Sequence, residues 1–374
     1  MASGRADTTA TRAVTTAPGA TAALPTTMLA AVLYGRSDLR LEERPRPTAG
    51  PGEVILRVRR CGICGSDVRT YARGPSARYA VPIVLGHEFV GHVVELGPGV
   101  EGVPLGARAT AAPAIPCGTC AACRRGDDNL CENLLDFGIN IDGGLAEYVR
   151  IPVRSVGAGA LVIVPEQLPD PAAILGEPIG CCLRGLRRGA VRAGSTVVII
   201  GDGPIGLTHA ILAREMGAAP VLCVGHNPAR LEAIARAGAE TLTVEATAAD
   251  PAEAILVALG RRADTVVAAV PDPRAIETAV RLIRDGGSVV AFGGLAGDPS
   301  ITIDGNRLHY GEWTLVGSFN CTTAEFREAI DLAGRLDTRL FETTLYPLTR
   351  ITDAFEAART RATLKAVVSM EPPA

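Results

Sequence analysis

Cys61-Gly-Ile-Cys-Gly-Ser-Asp67 puts a thiol, a hydroxyl and a carboxylate, those of Cys64, Ser66 and Asp67, on one short stretch of chain. Metal binding and proton transfer are the chemistries such a set serves. Glycines flanking the Ile63-Cys64 pair let the backbone turn closely around an ion. Gly86-His87-Glu88 then supplies an imidazole and a second carboxylate. Cys, His and Glu form a recurring zinc ligand set, and three protein ligands with one open position make a catalytic rather than a structural site. Glu177, in Leu175-Gly-Glu-Pro178, is the candidate for a ligand from further along the chain.

A second set, Cys117, Cys120, Cys123 and Cys131, has the spacing C-x2-C-x2-C-x7-C in a loop rich in Gly and Asp. Four thiolates close a tetrahedron, so a zinc here is structural. Gly201-Asp-Gly-Pro-Ile-Gly206 follows the β-branched run Ser195 to Ile200 and opens an amphipathic helix to about Gly217. In that context Gly201, Gly203, Pro204, Ile205 and Gly206 form a dinucleotide loop, whose glycines let the backbone approach a pyrophosphate resting at the helix N-terminus. The next strand, Pro220 to Val224, ends in Gly225-His-Asn-Pro228, without the Asp or Glu that reads a plain adenosine ribose. With no carboxylate to repel a 2′-phosphate, and His226 and Arg230 to attract one, the expected cofactor is NADP before NAD. The alternative has Asn227 on a ribose hydroxyl and NAD as the cofactor.

These motifs, in this order and at about this spacing, resemble the zinc-dependent medium-chain dehydrogenases. The likeness is greatest to their sorbitol and polyol dehydrogenase branch, where a Glu followed by Pro, here Glu177-Pro178, replaces a ligand cysteine. It runs from about Met28 to about Met370. The resemblance implies an α/β protein with a β-rich GroES-like catalytic domain and a Rossmann domain built on a doubly wound parallel sheet. The catalytic domain is expected over 28–165 and 309–374, with the structural zinc lobe inside it, and the dinucleotide domain over 166–308. Residues 1–27 fall outside as a disordered tail, with a gene start at Met28 or a transit-like leader as alternatives.

The same resemblance implies two zinc ions per chain. Cys64, His87 and Glu88 hold the catalytic one, with Glu177 binding it directly or through water. Asp67 hydrogen-bonds the ligand histidine, Ser66 takes the substrate proton towards the cofactor ribose, and Lys365 meets the pyrophosphate; a solvated surface lysine is the alternative for Lys365. The family often continues the proton relay with a histidine where this chain has Arg69, and arginine is a poor proton carrier because its pKa exceeds about 12. The implied reaction is hydride transfer between NAD(P) and a secondary alcohol of a polyol, cyclitol or sugar derivative, by a homodimer or homotetramer. Two other readings compete. One is a zinc and nicotinamide enzyme with internal redox, an epimerase or lyase; the other is a zinc-ribbon interaction protein without catalysis.

The elements that must position these groups follow from pattern. Apolar residues at strand-like spacing over Met28 to Leu41 and Glu53 to Arg59, separated by a Pro and Gly loop, predict a β-rich start. Val81 to Val94 predicts a short strand holding His92 as an ordinary polar position. Cys181 and Cys182 read as small buried hydrophobes. Alternation from Ser195 onward, including strands at Asp264 to Val270 and Gly287 to Gly293 and a helix from about Pro273 to Arg284, is the rhythm of a doubly wound sheet. The 374 residues suit two domains, and a net charge of −3 with a pI near 6.0 offers no footprint for nucleic acid. No apolar run is long enough to span a membrane. Ten cysteines, four of them clustered, read as metal ligands in a reducing compartment, so a cytoplasmic location is expected.

Overall fold

Two antiparallel strands, Thr27–Gly35 and Asp38–Pro45, open the chain, and they split the run expected from Met28 to Leu41 at Ser37, whose φ of 55° makes the turn. The computed structural model describes residues 23–244, 250–295 and 299–371. Most of the expected tail, residues 1–22, lies outside them. Its end is not loose: Arg46 donates from its amide to the Thr26 carbonyl at 2.9 Å and from Nε to Pro25 at 2.8 Å, and Thr27 is already in the strand.

A seven-stranded sheet forms the β-rich part. Its order is Leu161–Ile163, Arg108–Ala111, Glu88–Leu96, Val54–Gly62, Lys365–Ser369, Thr343–Pro347, with Tyr148–Ile151 also paired to Val54–Gly62. Val54, Leu56, Val58, Phe89, Val93 and Val368 bury one continuous core against it. Register does the positioning here: Gly62 lies opposite Glu88 on one side and opposite Val367 on the other, so Cys64, Glu88 and Lys365 converge from three distant stretches.

The second half is a six-stranded parallel sheet in the order Glu240–Thr243, Val221–Gly225, Val197–Ile200, Ala263–Ala268, Ile283–Ala291, Thr314–Gly317. In chain order this is 3-2-1-4-5-6, the doubly wound arrangement, whose ligand crevice lies outside the strand ends where the order reverses. Ile200 pairs with both Val224 and Ala268, which brings Gly201, Gly225 and Ala269 to one edge. Two expectations need correction. The helix from Pro273 stops at Leu282 because Ile283 already begins the next strand. The return to the catalytic domain at 309 comes later: Thr314–Gly317 is the sixth parallel strand, and helix Thr323–Ala333 packs on helix Gly176–Arg188. A short apolar strand reads alike in either domain, and only its pairing with Ser288–Ala291 decides.

Candidate active site

Helix Gly65–Arg73 begins at Cys64, whose amide donates to Asp67 Oδ2 at 3.0 Å; the carboxylate thereby caps the helix and fixes the thiol at its mouth. Gly86 precedes the strand bearing Glu88 with φ +92°, and a Cβ there would lie 2.7 Å from Cys61 Sγ. The ligand atoms of Cys64, His87 and Glu88 fall within 4.8 Å of one another. Asp67 Oδ1 lies 3.7 Å from His87 Nδ1, an ion-pair distance longer than the hydrogen bond expected between them. Glu177 stands outside this cluster, in the first turn of helix Gly176–Arg188, where the Cys181 thiol donates to its Oε1 at 3.2 Å. Cys181 and Cys182 are buried as expected, but Cys181 also holds the site carboxylate.

Lys365 is 4% exposed, which overturns the surface reading: the strand Lys365–Ser369 carries it into the wall behind the cluster. Its ammonium pairs with Glu88, itself 2% exposed, and donates to the Ile63 carbonyl at 3.3 Å. Burial opposes a charge on His87, yet Asp67 and Cys64 raise its pKa well above the usual value. Burial also raises the carboxyl pKa of Asp67 and of Glu177, against the pull of His87 in both cases. A thiol and three acids crowded out of water around one lysine and one imidazole are short of positive charge. A divalent cation supplies it, and the mixed sulfur, nitrogen and oxygen donors suit zinc.

The second cluster is built differently. Sγ atoms of Cys117 and Cys123 lie 3.9 Å apart, those of Cys120 and Cys123 3.5 Å, and those of Cys120 and Cys131 3.9 Å. Main-chain amides of Cys117, Cys120 and Asn133 donate to these sulfurs. The Thr119 hydroxyl and amide bring the Cys117 thiol down to about 5, whereas burial and Cys120 push Cys123 up to about 12. A zinc suits the four sulfurs. The lobe is clamped to the parallel-sheet half: Asn129 donates to the Phe319 carbonyl at 2.7 Å, and Arg184, on the helix of Glu177, reaches Glu325 at 3.3 Å and Asp127 at 3.7 Å.

Around the dinucleotide loop, a Cβ on Gly206 would sit 1.9 Å from the Gly201 carbonyl, so helix and strand approach as closely as glycine allows. A Cβ on Gly203 would meet nothing, and helix Pro204–Glu215 starts with no side-chain cap. Both features leave main-chain amides open to a pyrophosphate. Beyond the second strand the expectation fails in one respect. A carboxylate does stand there, but it comes from the loop: Asp202 Oδ2 accepts from the amides of His226 and Asn227, each at 2.7 Å. Asn227 is committed as a helix cap, its Oδ1 accepting from Ala229 and Arg230. Arg230 donates from Nη2 to the carbonyls of Arg361 and Thr363, and His226 Nδ1 lies 2.5 Å from the Val244 carbonyl.

Cluster and loop open into a single cleft of about 1470 Å³, lined by Cys64 and Glu88 on one side and Gly201 to Gly206 on the other. Residues 50–160 match the alcohol dehydrogenase GroES-like domain and residues 204–335 the zinc-binding dehydrogenase domain. L-galactonate-5-dehydrogenase of Escherichia coli K12 is 31% identical over 339 residues, 88% of this chain and 95% of that protein. Sorbitol dehydrogenase of Bacillus subtilis 168 is 30% identical over 341 residues, 90% of this chain and 94% of that protein. A structure described as a zinc-binding dehydrogenase of Sinorhizobium meliloti 1021 bound to NADP superposes with a TM-score of 0.84 at 32% identity, covering 92% and 100% of the two chains.

The chain belongs to the zinc-dependent medium-chain dehydrogenases. In this dehydrogenase Ser66 is half-buried in the first turn after Cys64, and among the described residues its hydroxyl has no hydrogen-bond partner. Arg69, one turn on, spans the cleft and donates from Nη1 to the Gly294 carbonyl at 3.1 Å. His92, in the strand behind Glu88, lies 3.0 Å from the Gly106 carbonyl through Nδ1, away from the cluster's ligands. Sequence reasoning missed Asp202 and the Cys181 contact. The first sits at an open position of the glycine motif; the helical spacing of residues 177 and 181 was the available signal for the second.

Proposed function

We propose that this dehydrogenase oxidises a secondary alcohol of a polyol, cyclitol or sugar derivative, or reduces the matching ketone, with NAD(P). The observation that carries the reading is the opening of the Cys64, His87, Glu88 cluster and the glycine loop into one cleft. The galactonate and sorbitol dehydrogenases among its relatives support the substrate class. When bound, zinc would acidify the substrate hydroxyl and the nicotinamide would take the hydride. Cys64, His87 and Glu88 would hold the metal. Asp67 stands beside His87, and Glu177, restrained by Cys181, borders the site as an acid whose pKa burial raises.

Ser66 accepts the substrate proton. Arg69 cannot pass it on, since a guanidinium keeps its own proton at any working pH; the proton leaves by another route. Ser66→Ala is expected to lower kcat by about 10²-fold or more, as for loss of a general acid–base group, with zinc content unchanged by metal analysis. Unchanged kcat would remove Ser66 from the mechanism.

The decisive experiment follows reduction of NAD and NADP by zinc-loaded protein with a panel of polyols, cyclitols, sugar acids and simple alcohols. Stoichiometric reduction with a polyol or sugar derivative supports the proposal. Turnover without net cofactor reduction replaces it with internal redox. The free thiols of all ten cysteines support a reducing, cytoplasmic compartment, and among the described residues no helix is long and apolar enough to cross a membrane. The edge strand Thr314–Gly317, with exposed Leu315 and nearby exposed Tyr310 and Phe319, supports a homo-oligomer, which light scattering after gel filtration measures.

A further inference from the structure

We propose that Asp202, a residue of the glycine loop, supplies the carboxylate that selects the cofactor's adenosine ribose, so that the enzyme prefers NAD to NADP. This rests on the dinucleotide reading of the cleft.

The turn Gly225-His-Asn227 follows the second parallel strand, the place where this fold reads the ribose. Two consecutive amides there, those of residues 226 and 227, form a concave donor pair of the kind that binds phosphate oxygens. In this chain both are taken. Asp202 Oδ2 accepts from each at 2.7 Å, and Asp202 is 7% exposed at the cleft wall, so its charge is poorly screened. A 2′-phosphate brought to this turn would face a carboxylate already seated on the donors it needs. A 2′-hydroxyl would instead find an acceptor.

The groups expected to favour the phosphate, His226 and Arg230, line the same cleft but are each held through one side-chain nitrogen. Arg230 is tethered through Nη2 to two carbonyls, His226 is tied to Val244, and the Asn227 acceptor caps its own helix. Gly225 completes the arrangement. A Cβ there would lie 2.4 Å from Asp202 Cβ and 2.5 Å from Oδ2, so the absence of a side chain at the strand end is what admits the carboxylate from the loop.

Titration calorimetry of zinc-loaded wild type, Asp202→Asn and Asp202→Ser with NAD and with NADP tests this without any substrate. Wild type is expected to bind NAD about tenfold or more tighter than NADP, the scale of one poorly screened like-charge contact. Both variants should narrow that ratio by about tenfold, chiefly by gaining NADP affinity. Asp202→Asn keeps the acceptor for the turn, which guards against a folding defect. The Sinorhizobium relative bound to NADP sets the opposite expectation. A wild type that prefers NADP, or variants whose two affinities fall together as a purely structural role would have it, overturns the inference. Binding of neither dinucleotide overturns the reading beneath it as well.

Discussion

The two candidate metal clusters of this chain have opposite construction. The four-cysteine lobe collects its sulfurs from residues 117–131 and stabilises them with amides of the same loop. The cleft cluster draws Cys64 from a helix start and His87 and Glu88 from a strand start, and its counter-ion, Lys365, comes from the far end of the chain. One is a local device whose charges are met where they arise. The other is held by sheet register in a buried, charge-deficient pocket. The difference teaches that a structural metal can be read from spacing, whereas a catalytic one depends on what the fold brings alongside.

Breaking the cleft cluster should separate catalysis from folding. Cys64→Ala is expected to remove one zinc per chain and lower kcat/KM by at least about 10³-fold, the several kcal/mol of a lost Lewis acid, with a smaller fall in Tm than loss of the lobe zinc because it also takes a thiolate out of the charge-deficient pocket. Metal analysis, kinetics and calorimetry measure the three quantities. Cys123→Ser should do the reverse. Losing a zinc bound a thousandfold below its working concentration removes about 4 kcal/mol, a fall in Tm on the order of 5–10 °C. Zinc should remain in the cleft, and the residual activity of the folded fraction should exceed that of Cys64→Ala.

A comparison of two histidines sharpens the point. His87 has acid neighbours and is raised, whereas His209 has none: burial lowers it to about 4, and among the described residues its Nε2 is unpartnered. The unfolded chain therefore takes a proton at His209 first as pH falls. Stability from this residue is complete above about 6.5 and is lost as pH falls from there towards about 4, amounting to about 3 kcal/mol. His209→Leu should flatten denaturant stability between pH 7 and pH 4.5 relative to wild type. The smallest effect concerns Lys365. Lys365→Met frees Glu88 from its cation, and chelator competition is expected to show zinc in the cleft bound about five- to tenfold more tightly, with the cysteine lobe unchanged.

Legibility in the sequence follows the same division. The cysteine spacing, the β-branched strand before Gly201 and the alternating helices and strands were visible because each is local. So was the candidate set Cys64, His87 and Glu88, whose ligand atoms the fold brings within 4.8 Å of one another. Lys365 was expected at the pyrophosphate, but its pairing with Glu88 was not legible, because only the pairing of Lys365–Ser369 with Val54–Gly62 buries it there. Strand Thr314–Gly317 went to the wrong half for the same reason. Asp202 escaped because its partners lie across a helix, at residues 226 and 227, where a reading of the strand end looks only at the strand.

The tight packing of Gly225 against Asp202 also constrains how such an enzyme can change. A carboxylate at the strand end and a carboxylate in the loop exclude one another, since the first Cβ would overlap the second side chain. Gly225→Asp alone would therefore be a damaged intermediate rather than a neutral step, and position 202 must first lose its side chain, Cβ included, before an acid can appear at 225. The order of substitutions is dictated by sterics, so two dehydrogenases of this kind that carry the acid at different places are separated by a path that can be walked in only one sequence of moves.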